Sequence, residues 1–86
     1  MLVRLMDEEP PMAETELDAR GLNCPLPVLR ARKSMRALKP GTVLRLLATD
    51  PGAVRDVQAM CETTGDRLID SEEANGIFIF RIEKAG

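Results

Sequence analysis

Gly21-Leu22-Asn23-Cys24-Pro25-Leu26-Pro27-Val28 is the stretch around which this 86-residue chain is organised: a cysteine directly precedes a Pro-x-Pro pair, and apolar residues at helical spacing follow. Proline is favoured at the first position of a helix, because its missing N–H would have had no partner there and its φ is already helical. The stretch predicts a helix opening at Pro25 with Cys24 as its N-cap. A thiol so placed faces unpaired backbone N–H groups and the positive end of the helix dipole, and both favour the thiolate. Thiolates, not thiols, attack sulfur electrophiles. Cys24 therefore reads as a reactive cysteine.

Working outward, the helix runs to about Leu38, with Val28, Ala31, Met35 and Leu38 forming the inward stripe of an amphipathic helix. Arg30, Arg32, Lys33, Arg36 and Lys39 surround that stripe without an acidic residue. Before the helix, 15–18 is a short strand with Leu17 inward, and Asp18-Ala19-Arg20-Gly21 turns the chain. After it, Lys39-Pro40-Gly41 stops the helix and 42–48 forms a second, largely buried strand. Thr49-Asp50-Pro51-Gly52 opens a second helix with Val54, Val57, Cys61 and Thr64 inward, and Gly65 ends it. A third strand follows over 67–72, with Leu68 and Asp70 on one face and Ile69 on the other. Asn75-Gly76 is a strong hairpin signal, and 77–82, apolar on both faces, belongs in the middle of the sheet.

The order βαβαββ, with right-handed crossovers between parallel strands, puts both helices on one face. The expected fold is an α/β (α+β) two-layer sandwich: a four-stranded mixed sheet, two helices on one side, and the other face solvated or covering a partner. Cys24 then lies at the end of the sheet where the first strand leaves, the usual place for a site in such folds. Residues 1–14, Met-rich, acidic and broken by Pro10-Pro11, read as a flexible leader, and 15–86 as the single domain.

Composition narrows the chemistry. The chain has no His, Trp or Tyr, and its net charge is -2. The commonest general base and metal ligand is thus missing, aromatic platforms for unpaired bases are hard to build, and the charge gives no case for nucleic acid or membrane. Two distant cysteines make neither a CxxC pair nor a zinc site. No metal is expected. Residues 1–9 lack the features of a signal peptide and no run is long enough to span a membrane, so a reducing cytoplasm is the expected setting.

Residues 17–28, together with Arg32-Lys33, Lys39-Pro40-Gly41 and Thr49-Asp50-Pro51, resemble the TusA/SirA family of small sulfur carriers, a likeness that extends over about 15–84. The family's fold is a βαβαββ two-layer sandwich like the C-terminal domain of translation initiation factor 3, in agreement with the reading above. The resemblance implies that a cysteine desulfurase or other sulfur donor protein loads Cys24 with sulfane sulfur as a persulfide. Cys24 then relays it to a downstream acceptor protein, with no cofactor beyond the sulfur itself. Relatives that serve tRNA thiolation resemble Cys-Pro-Glu-Pro, whereas this chain has Leu26 at the third position. Apolar residues there resemble branches linked to molybdenum-cofactor sulfuration, selenium handling or dissimilatory sulfur oxidation. In some members a basic residue stands where this chain has Asn23.

Around Cys24, Pro25 and Pro27 fix the thiol without covering it, Gly21 frees the turn, and Asp18 and Asp50 serve turn and cap roles. Arg30 and Lys33 either belong to a solvated charged face or dock an acidic partner. Cys61, on an inward stripe, reads as core, with a secondary sulfur acceptor as the lesser alternative. Two functions of different class stay open: a sulfurtransferase acting through a Cys24 persulfide, and a non-catalytic binding or regulatory module of the same fold. An intact Cys-Pro-x-Pro favours the first. A thiol–disulfide oxidoreductase lacks a nearby resolving cysteine.

Overall fold

A computed structural model describes residues 14–85. The elements are β1 (Glu14–Ala19), α1 (Leu26–Arg36), β2 (Val43–Ala48), α2 (Gly52–Thr64), β3 (Arg67–Ala74) and β4 (Ile77–Glu83). The leader expected over 1–14 lies outside the described residues except for Glu14, which opens β1.

The sheet order is β1-β2-β4-β3, with β1 and β2 parallel and β4 antiparallel to both of its neighbours. As its two-sided apolar pattern predicts, β4 is central. Leu44 and Leu46 of β2 pair with Ile82 and Phe80 of β4, and all four are 0% exposed. Val28, Ala31 and Met35 of α1 pack onto them with Ala53, Val57, Met60 and Cys61 of α2. Removing a large apolar side chain of this kind from water contributes roughly 1.5–3 kcal/mol, so this single layer between sheet and helices carries most of the stability.

Three local expectations need correction. The first helix ends at Arg36 rather than Leu38, although Leu38 still packs against the core. There the Met35 carbonyl accepts bonds from the Leu38 N–H and the Lys84 ammonium, which satisfy the helix end from outside. On α2 the inward stripe is Ala53, Val57, Met60 and Cys61, while Thr64 is exposed and exchanges hydrogen bonds with Asp66. In β3 a bulge at Ile69 sets Leu68 opposite Ile82 and Asp70 opposite Arg81. Two residues then oppose one, so Leu68 and Asp70 fall on opposite faces instead of sharing one.

The bulge matters for the face away from the helices. Glu16, Arg45, Arg81 and Asp70 form one row across all four strands. Arg45 pairs with Glu16 at 2.8 Å, and Arg81 bridges Asp70 at 3.0 Å and Glu14 at 3.2 Å. Each arginine is matched by a carboxylate of an edge strand. This row is charged, while Val43 and Leu47 on the same face are buried. The β3–β4 hairpin turns at Asn75 (φ 54°) and Gly76 (φ 81°), both left-handed, as the Asn-Gly pair predicts.

Candidate functional site

The site forms where the β1–α1 and β2–α2 connections meet at one end of the sheet. Asp18 begins the first connection with a local turn, accepting from the backbone N–H and guanidinium of Arg20. That pairing holds its carboxyl down at about 2, but Asp18 makes no bond to Cys24. Gly21, at φ 83°, then reverses the chain, and its N–H donates to Thr49 Oγ1 at 2.9 Å. One residue further along β2's exit, the Asp50 carboxylate accepts from the backbone N–H groups of both Cys24 and Gly52. These two donors hold Asp50 below the ordinary carboxylate range. Asp50 thus clamps the cysteine loop to the start of α2.

Cys24 itself departs from expectation. It stands outside α1: Pro25 occupies the capping position at φ −100°, ψ 17°, and Leu26 is the first helical residue. The Leu26 N–H bonds to the Asn23 carbonyl, so Cys24 lies inside a turn that leads into the helix. Its thiol is exposed and donates to Asp56 Oδ2, one turn into α2, at 2.6 Å. The Asp56 hydrogen bond, partial loss of water and the negative charges of Asp56 and Asp50 raise the Cys24 pKa above that of an ordinary thiol, with Arg55 opposing. The N-cap position expected for Cys24 is not the one it takes, and the carboxylates beside the thiol oppose its ionisation instead of favouring it.

Cys24, Gly52, Arg55, Asp56 and Gln58 line a cleft of about 430 Å³ that opens at the thiol. Pro27 is buried in the core and anchors α1 from within, whereas Pro25 remains at the surface. Arg30 and Lys33 are exposed, one helical step apart on α1, and Leu26 and Leu29 beside them are 46% and 51% exposed. Cys61 is buried, and burial aided by Asp66 pushes its thiol up to about 11. Its burial agrees with the core position read from the sequence. Asp56 was not singled out from the sequence, and Thr49 and Gly52 were read only as part of the segment that opens the second helix. In sequence, Arg55-Asp56 looks like ordinary helix surface, and only the meeting of two connections turns the carboxylate toward the thiol.

Among the described residues, no three His, Cys, Asp or Glu side chains gather as a metal site, and no helix is long and apolar enough to cross a membrane.

The comparisons agree with this geometry. A family model described as sulfurtransferase TusA matches residues 15–84. The sulfur carrier protein TusA of Allochromatium vinosum is 51% identical over 72 residues, 84% of this chain and 95% of that protein. The protein of the same name from Pseudomonas fluorescens is 42% identical over 77 residues, covering 90% and 92% respectively. A crystal structure of a SirA-like protein from Desulfitobacterium hafniense superposes with a TM-score of 0.74 at 30% identity, over 84% of this chain and 99% of the other. With the fold, the exposed Cys24 before Pro-x-Pro and these relatives in agreement, the chain belongs to the TusA family of sulfur carriers.

Proposed function

We propose that Cys24 is the sulfur-bearing atom of this carrier, accepting sulfane sulfur as a persulfide from a donor protein such as a cysteine desulfurase and relaying it to an acceptor protein. The supporting observation is an exposed thiol at the mouth of a cleft, on a loop clamped by Asp50. Exposure is what the chemistry demands, because a donor's sulfur and an acceptor must each reach the same atom in turn. Clamping keeps that atom in one place for two different partners. The transfer is a thiol–persulfide exchange, so the protein acts as a stoichiometric sulfurtransferase relay with the sulfur as cargo. Leu26, apolar where relatives serving tRNA thiolation carry an acidic residue, favours an acceptor of the molybdenum-cofactor or sulfur-oxidation kind. The setting proposed is the cytoplasm, without direct contact to nucleic acid.

The test is intact-protein mass spectrometry after incubation with a cysteine desulfurase, pyridoxal phosphate and cysteine, without reductant. A gain of sulfur that dithiothreitol removes and that Cys24→Ser abolishes is the expected result. No gain in the wild type, with Cys24 still open to alkylation, would instead leave the protein as a binding module of this fold.

A further inference from the structure

We propose that Asp56 is the proton acceptor for Cys24 during sulfur uptake, a catalytic residue that touches the reacting sulfur. This inference rests on the reading of Cys24 as the sulfur carrier and assigns the proton that the reading leaves unaccounted for. Three observations support it. First, Asp56 Oδ2 lies 2.6 Å from Cys24 Sγ, within reach of the S–H proton. Second, among the described residues the Asp56 carboxylate makes no other hydrogen bond and no ion pair, so it is committed to the thiol; both line the cleft through which a donor sulfur approaches. Third, the other candidates are absent or engaged. The chain has no His, and the Asp50 carboxylate is taken up by two backbone N–H groups.

The step balances without an external oxidant. As Cys24 Sγ bonds to the outer sulfur of a donor persulfide R–S–SH, its proton passes to Asp56. The donor S–S bond breaks, its electron pair leaves on R–S⁻, and that thiolate takes the proton from Asp56. The sum is Cys24–SH plus R–S–SH giving Cys24–S–SH plus R–SH. A held carboxylate solves a problem specific to this site. Its charge opposes ionisation of the resting thiol, yet it lies where it can take the proton when a persulfide is in place.

Those two effects of one carboxylate separate in Asp56→Asn. With the negative charge gone, more thiolate is present at neutral pH, so alkylation of Cys24 by iodoacetamide becomes faster. With the acceptor gone, uptake of sulfur from glutathione persulfide, divided by the thiolate fraction that the alkylation rate reports, falls by about a hundredfold, the lower end of what general base catalysis supplies. Stopped aliquots read by mass spectrometry give both rates, and a small-molecule donor removes protein docking from the measurement. A fall in uptake per thiolate supports the proposal. Uptake that keeps pace with alkylation, as a thiolate needing no base would show, overturns it. If the wild type takes no sulfur in the same assay while Cys24 alkylates, the carrier reading itself fails and this inference falls with it.

Discussion

Gly52 lies against Cys24: a methyl group built on its Cα would sit 3.3 Å from the Cys24 Cβ and 3.7 Å from its Sγ. The glycine is needed for close approach, and its own φ is not left-handed. Contacts at that distance require the neighbour to give by a few tenths of an ångström, and the neighbour here is the loop that seats the thiol. Gly52→Ala should leave the core intact and shift Cys24 away from Asp56. Since a misplacement of 1 Å can cost a reaction about a hundredfold, a smaller shift should slow sulfur uptake from glutathione persulfide about threefold. Unchanged uptake would show that the bare Gly52 does not set the thiol's position.

The pH response of Cys24 follows from the charges around it. The thiol is neutral when protonated and negative when not, so Asp56 and Asp50 oppose its ionisation and Arg55 assists it. The alkylation rate should therefore rise to its plateau at higher pH than for an ordinary cysteine, whose pKa is 9.0. Arg55→Ala should move the inflection further up and Asp56→Asn should move it down. Iodoacetamide rates between neutral and alkaline pH check all three, and an inflection below that of free cysteine would contradict the described hydrogen bond.

The element order, the parallel β1–β2 pair and the central β4 were legible in the sequence, because each rests on a local signal. Apolar periodicity marked the helices, the unbroken 77–82 run marked a strand buried on both faces, and Asn75-Gly76 marked the hairpin. The bulge at Ile69 carried no such mark. Arg67 to Glu72 alternates well enough without it, and the shift is visible only in Asp70 meeting Arg81 across the sheet. The exposure of Cys24 and its closeness to Asp50 were legible, but the charges around the thiol were not. Pro-x-Pro correctly announced a helix start, yet Pro25 took the capping position assigned to Cys24. The hydrogen-bond partner of the thiol is Asp56, 32 residues away, brought there by the packing of two connections.

Cys61 makes the opposite case from Cys24. It is 7% exposed among Val57, Met60 and the sheet, and among the described residues its thiol makes no hydrogen bond. Cys61→Ser should cost about 1–3 kcal/mol, the usual penalty for burying an unpaired hydroxyl, and leave sulfur transfer intact. Its folded pKa, about 11, stands above the ordinary 9.0. The folded state thus holds its proton more tightly than the unfolded chain, and the stability linked to it is complete below pH 9 and lost as pH rises toward 11. Cys61→Ala should flatten that alkaline loss in thermal melts. A transfer-dead but normally folded Cys61→Ser would show that the second thiol takes part in the relay.

Docking and chemistry should separate cleanly on α1. Arg30 and Lys33 share one exposed side of the helix, and Leu26 and Leu29 form an apolar patch beside them at the end nearest Cys24. Charges at the rim of an interface chiefly accelerate encounter, whereas a desolvated apolar patch holds the complex once formed. With an acidic donor protein, Arg30→Glu combined with Lys33→Glu should lower the association rate about tenfold at low salt, and that difference should shrink as ionic strength rises. Leu26→Ser and Leu29→Ser should mainly hasten dissociation. None of the four changes touches the thiol, so uptake from glutathione persulfide should stay at the wild-type rate. Surface plasmon resonance with a cysteine desulfurase, set beside the small-molecule assay, separates the two effects. If the charge-reversed variant binds the desulfurase at an unaltered rate at every salt concentration, the basic side of α1 is only a solvated face.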